Sequence, residues 1–315
     1  MVKYNPKVWF SIIFHSYSGY VVRMLTPALI FLTVFAALVS YIFLDPFWLN
    51  LHNQEFKSEI IIHQLLGIVL GLFLVFRVNT AYDRWWEGRK LWGSMVNNTR
   101  NLSFKFAAYL PADDQVNRNW FAMMIANVPF ALRDLLRNRS FHKDLEYPEE
   151  SIRAAVEGNR HAPNVLSTIM YRKMEQMKRD GKLSADQLWL LDREMKEFAD
   201  IVGACERIRN TPIPYSFSMF IKKFIFLYLF TLPFGLVTTL EYLTIPVVFL
   251  VSYILLSVEL IAEEIEDPFG KDINDLPTDE LSAKMRFHVK AILLGQGSTG
   301  PESAHESAEG LDNQV

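Results

Sequence analysis

A chain of 315 residues that is half hydrophobic, 21% charged and has a mean hydropathy of +0.11 must segregate its apolar and charged residues along its length. A net charge of −3 excludes a phosphate-tracking nucleic-acid binder, which carries a basic excess on one face. The single cysteine, Cys205, excludes an intramolecular disulfide and any multi-cysteine metal site, and reads as a small buried hydrophobe.

In chain order, residues 8–22 are aromatic and apolar without Lys, Arg, Asp or Glu, which predicts an interfacial helix against a membrane. A membrane crossing needs about 17–25 mostly apolar residues. Residues 24–44 meet that requirement and lack the cleavage site of a signal peptide. Residues 60–76 follow as a second span, in which His63 and Gln64 read as wet interfacial residues. Further helices are predicted over 91–110 and 119–136, with a loop or short helix over 139–163. Ser184-x-x-Gln187 is a capping box, and behind it Leu188, Leu191, Met195, Phe198, Val202 and Cys205 form an apolar stripe. Such a stripe packs against helices of its own chain or of a neighbouring subunit. Residues 224–240 and 242–258 make two more spans in a tight hairpin, with Pro246 tolerated in a first helical turn. The tail 295–315, rich in Gly, Ser and acids, reads as disordered.

The fold class is therefore an all-α membrane protein with four spans. Its parts are an interfacial segment 1–23, a hairpin 24–76, a helical domain 77–223, a hairpin 224–258, a segment 259–294 and the tail 295–315. Lys3, Lys7, Arg23, Arg77, Arg84, Arg89, Lys90, Lys222 and Lys223 flank the spans on one side, whereas the short connections are acidic. That asymmetry places both termini and the middle domain in the cytoplasm of a multi-pass inner or plasma membrane protein, with lipids as partners.

No Gly-rich phosphate loop, HExxH or GxSxG appears, and the seven histidines are scattered, so no enzyme is expected. In the second span Ile68, Leu72 and Phe76 lie four residues apart beside Gly67 and Gly71. Two readings are open: a lipid-facing or packing stripe, or a ring of bulky side chains that constricts a pore. Below it, RWWEGRKLWG (84–93) sets tryptophans at the membrane interface with Arg84, Glu87 and Arg89 able to pair. Residues 259–279 gather acids around Pro268-Phe269-Gly270 without EF-hand spacing; they are either solvated, paired with arginine, or able to hold a hard cation.

Four motifs in order, the second-span stripe, RWWEGRKLWG (84–93), CERIRNTPIPYSF (205–217) and EDPFGKDINDLP (266–277), resemble the bestrophin family of ion channels. The resemblance implies a homopentamer around one central pore, with a hydrophobic neck at Ile68, Leu72 and Phe76 and a cytosolic aperture at the Ile213-Pro214 step. It implies passive conduction of monovalent ions, chloride or other small anions foremost, with no required cofactor. Asp272 and Asp275 match acidic positions of a calcium clasp in eukaryotic members, although Lys271, Ile273 and Asn274 interrupt the acidic run here. A monovalent cation channel of the same fold, or a non-conducting membrane scaffold, is the alternative.

Overall fold

A computed structural model describes residues 16–44, 57–139 and 143–295. The predicted interfacial segment before residue 16, the acidic connection 45–56 and the tail from residue 296 lie outside these described residues. Among them the chain is helical throughout: α1 (Ser16–Leu44), α2 (Lys57–Tyr109), α3 (Gln115–Leu136), α4 (Glu150–Glu157), α5 (Ala162–Arg179), α6 (Ala185–Asn210), α7 (Tyr215–Leu240), α8 (Thr244–Glu266) and α9 (Thr278–Leu294).

Local chemistry explains most boundaries. The sequence predicts two helices, 60–76 and 91–110, where the structure forms one of 53 residues, α2. The tryptophans and charges between them are ordinary helix residues, and no proline interrupts the run until Pro111, just past its end. At that end Arg118 donates to the carbonyls of Ala107, Leu110 and Pro111, which have no partner within the helix. Helix α3 starts at Gln115, before the predicted 119, because the Asp114 carboxylate accepts from the Asn117 N–H and caps it. Residues 139–163 contain the two-turn α4. The capping box before α6 is present in both directions, Gln187 N–H to Ser184 Oγ and Ser184 N–H to Gln187 Oε1. Between α7 and α8 one short 3₁₀ turn, Glu241–Leu243, reverses the chain, with Glu241 at φ = 50°. Pro246 sits in the first turn of α8, where its missing N–H costs no intrahelical bond.

The residues divide into two compact units. The first takes in the described residues up to Trp85, then Pro212–Pro268 and Asp272–Asn274. Its core is Leu32 and Ala36 of α1, Leu70 and Leu74 of α2, Ile221, Ile225, Leu229 and Leu232 of α7, and Val248 of α8. Phe35 stacks on Phe230 with ring centroids 4.3 Å apart. Its outer faces are apolar too: Phe31, Val34 and Leu38, Leu65 and Leu72, Phe226 and Leu227, Leu250 and Ile254 are all exposed. Three stretches, Arg23–Leu44, Ile61–Tyr109 and Tyr215–Glu266, are long and apolar enough to cross a membrane, and the last contains both α7 and α8.

The second unit comprises Trp86–Thr211, Phe269–Lys271 and the described residues from Asp275 onward. Here the apolar groups turn inward. Phe106 stacks on Phe121 at 3.8 Å, while Leu166, Met170, Met174 and Met177 of α5 and Leu191, Met195, Phe198, Val202 and Cys205 of α6 are buried. The α6 stripe is thus absorbed by the unit's own core, with only Leu188 half exposed. Burial pushes the Cys205 thiol up to about 12, with the carboxylates of Glu87 and Glu206 adding to the shift, so the sulfur stays a neutral hydrophobe.

Candidate functional site

The first unit turns the two faces of α2 to different uses. Leu70, Leu74, Arg77 and Ala81 recur at spacings of three and four and are buried. On the other side Ile68, Leu72 and Phe76 are 66%, 56% and 60% exposed, and they form one continuous ridge of bulky apolar side chains. The two nearby glycines separate in role. A Cβ at Gly67 would lie 3.0 Å from the Tyr228 hydroxyl, so this residue lets α7 approach, whereas Gly71 faces open space. At the start of α2, His63 is not the wet interfacial residue that the sequence suggests. It is half-buried, shares a hydrogen bond with Thr231 Oγ1 at 2.9 Å, and its ring lies 3.3 Å from where a Cβ on Gly235 would stand. The physical reason is its phase, which points at α7.

Directly after Phe76 the buried face delivers Arg77 into the unit's interior. Its Nη1 donates to Glu266 Oε2 at 2.7 Å and its Nε to Glu259 Oε1 at 3.5 Å. Glu266 accepts from two further directions: Oε1 takes the Ile213 N–H at 2.9 Å and its backbone carbonyl takes Arg84 Nε at 3.1 Å. One residue therefore links α2 to the chain leading into α7. A guanidinium with no access to water is tolerable only with such charge-assisted bonds, because its desolvation otherwise costs several kcal/mol, roughly, per ion. Sequence reading took Arg77 only as a positive flank of a span. The missed signal was its spacing of seven from Leu70 and three from Leu74, on the buried side.

Ile213 is itself only 8% exposed, while Pro212, Pro214 and Tyr215 beside it are exposed. Trp85 Nε1 donates to the Asn274 carbonyl at 2.9 Å, and Asn274 Nδ2 donates to Glu264 Oε2 at 2.8 Å. Glu87 pairs with Arg207 at 3.0 Å.

Much of the acidic stretch is taken up by cations of the protein. Glu259 and Glu266 serve Arg77, Glu263 holds Lys222 at 2.9 Å, and Asp279 bridges Arg133 and Arg137 at 2.9 and 2.7 Å. Burial would raise the Asp279 carboxyl, but the Arg137 hydrogen bond and the charges of Arg137, Arg133 and Arg139 outweigh it and hold the group below the usual carboxylate range. Asp275 is 2% exposed, and its Oδ2 would lie 2.6 Å from a Cβ on Gly270, so only glycine fits there. Among the described residues no three His, Cys, Asp or Glu side chains converge as a metal-holding group.

Apolar ridges exposed on helices of spanning length, beside a second unit whose apolar groups turn inward, define an all-α integral membrane protein. A family model described as Bacterial/Fungal Bestrophin protein matches residues 1–291. The chain belongs to the bestrophin family. It is 32% identical over 299 residues to a voltage-dependent anion channel-forming protein of Synechocystis, covering 92% of this chain and 93% of that one. It is 31% identical over 245 residues to the voltage-dependent anion channel-forming protein YneE of Escherichia coli K12, covering 77% and 79%. A crystal structure of a bacterial Bestrophin homolog from Klebsiella pneumoniae matches with a TM-score of 0.76 at 27% identity, over 85% of this chain and 98% of that one.

Proposed function

We propose that this protein is a passive anion channel, assembled as a homopentamer around one central pore, with four spans per chain and both termini in the cytoplasm of an inner or plasma membrane. The observation that carries the reading is the exposed ridge Ile68, Leu72 and Phe76, on a helix whose opposite face is fully used by the protomer's own core. Bulky apolar groups left outward on a helix of spanning length need lipid or another copy, and repeated about an axis they form a constriction that gates by dewetting. The naming of relatives as anion channel-forming proteins supports the ion class. The cytosolic aperture falls at the Ile213-Pro214 step, held by the Ile213 N–H bond to Glu266.

The test is a bi-ionic reversal-potential measurement on the purified full-length protein in planar bilayers, with chloride, sodium and potassium. A reversal potential that tracks chloride supports the reading, and pentamers that never conduct remove it. Calcium at Asp272 and Asp275 is a separate part of the proposal that rests on the family resemblance. Calorimetry with calcium decides it: heat lost in the Asp272→Asn, Asp275→Asn double variant supports a site there, and unchanged heat removes it.

A further inference from the structure

We propose that Asp83 is the charge that sets ion preference at the inner end of the neck, and that it acts against anions. The inference rests on the channel reading above and adds a selectivity residue to it. Helix α2 runs without interruption from Phe76 to Asp83. Seven residues are two turns, so Asp83 lies within about 20° of Phe76 around the helix and about 10 Å further along its axis. Asn79 stands in the same relation to Leu72, so the apolar ridge turns polar and then acidic on one line.

What distinguishes Asp83 is the company it does not keep. Arg77 is held by two glutamates, Arg84 by the Glu266 carbonyl, and Glu87 by Arg207. Asp83 is exposed and has no hydrogen bond or ion pair among the described residues. Aspartate in mid-helix is a poor helix former, and here no local bond offsets that. Helix stability therefore does not account for it.

Repeated around an axis, Asp83 makes a ring of carboxylates at the mouth of a neck that has no charge of its own. A cleft lined by one sign of charge raises the local counter-ion concentration about 10-fold or more. Cations are enriched at that mouth and chloride is depleted, so the wild-type channel favours anions less than its neck alone would. Lys90, exposed and seven residues further along the sequence, is a competing charge on the same line.

The experiment measures reversal potentials in sodium chloride gradients across bilayers containing the full-length protein, for wild type, Asp83→Asn, Asp83→Glu and Lys90→Gln. Asp83→Asn is expected to raise the chloride-to-sodium permeability ratio by about threefold or more, and Asp83→Glu to leave it at the wild-type value. The shift should shrink in about 1 M salt, where the Debye length is about 3 Å. Asp83→Ser supplies a second neutral variant should Asp83→Asn fail to assemble. Intact currents with an unchanged ratio in the neutral variants overturn the inference and leave the channel standing. A ratio that responds to Lys90→Gln alone also overturns it. Wild-type protein without current overturns the channel reading instead.

Discussion

Two apolar stripes of the same helical spacing face opposite ways in this molecule. Leu191, Met195, Phe198, Val202 and Cys205 on α6 are sealed in the core of the second unit, whereas Ile68, Leu72 and Phe76 on α2 stand outside the core of the first. The pattern in the sequence is alike; the solvent each face meets is not. Water drives the α6 stripe inward through the hydrophobic effect. In a lipid setting that drive is absent, so an outward apolar ridge is stable. The two buried arginines repeat the contrast. Arg133 draws on Asp134 beside it and on Asp144 and Asp279, within a water-suited unit, while Arg77 depends on Glu259 and Glu266 from the far end of the sequence.

Four outcomes break or sharpen this comparison. Arg77→Ala should have the largest effect, about 3–5 kcal/mol of destabilisation, because it leaves two partly or fully buried carboxylates without their cation. Loss of assembled protein on size exclusion or in a thermal-shift assay reports it, and wild-type stability would mean that water reaches this cluster. Leu191→Ala should cost about 2–5 kcal/mol in the same assay and leave ion preference in surviving protein unaltered, as expected of a core position. Ser184→Ala should cost about 1 kcal/mol by removing one half of the capping box. Leu72→Ala should change stability by less than about 0.5 kcal/mol, since the side chain is outside the core, yet raise or deregulate the current in bilayers. If Leu72→Ala unfolds the protein and Leu191→Ala does not, the contrast between the stripes is wrong.

Acid offers a milder probe of the second unit. Asp279 is held below its ordinary value of 3.8, so its contribution is present above that pH and is lost as the pH falls through the lowered value. Thermal unfolding of the full chain between neutral and acid pH should therefore show the wild type losing its advantage over Asp279→Asn at the acid end. An advantage that grows on acidification would contradict the pairing with Arg137 and Arg133.

Much of this was legible in the residues, and the misses have physical causes. The long apolar helices, the capping box and the α6 stripe follow from local pattern, because helix periodicity and caps are decided within a few residues. The single helix α2 was missed because a charged, tryptophan-rich stretch reads as a boundary by composition, although nothing in it breaks a helix. His63 was read as wet for the same compositional reason, and its partner Thr231 is 168 residues away.

By itself, then, the sequence determined the helical class, the apolar ridge with its spacing, and the motifs that resemble bestrophins, since each rests on nearest neighbours along the chain. The tertiary structure decided which face of α2 is buried, that Arg77 is an interior hub and Asp83 an exposed, unpaired charge, and that Glu266 ties both Arg77 and Ile213. The Arg77–Glu266 pair joins residues 189 apart and the Ile213–Glu266 bond residues 53 apart. Burial and charge pairing are properties of what surrounds a side chain, which no local pattern contains.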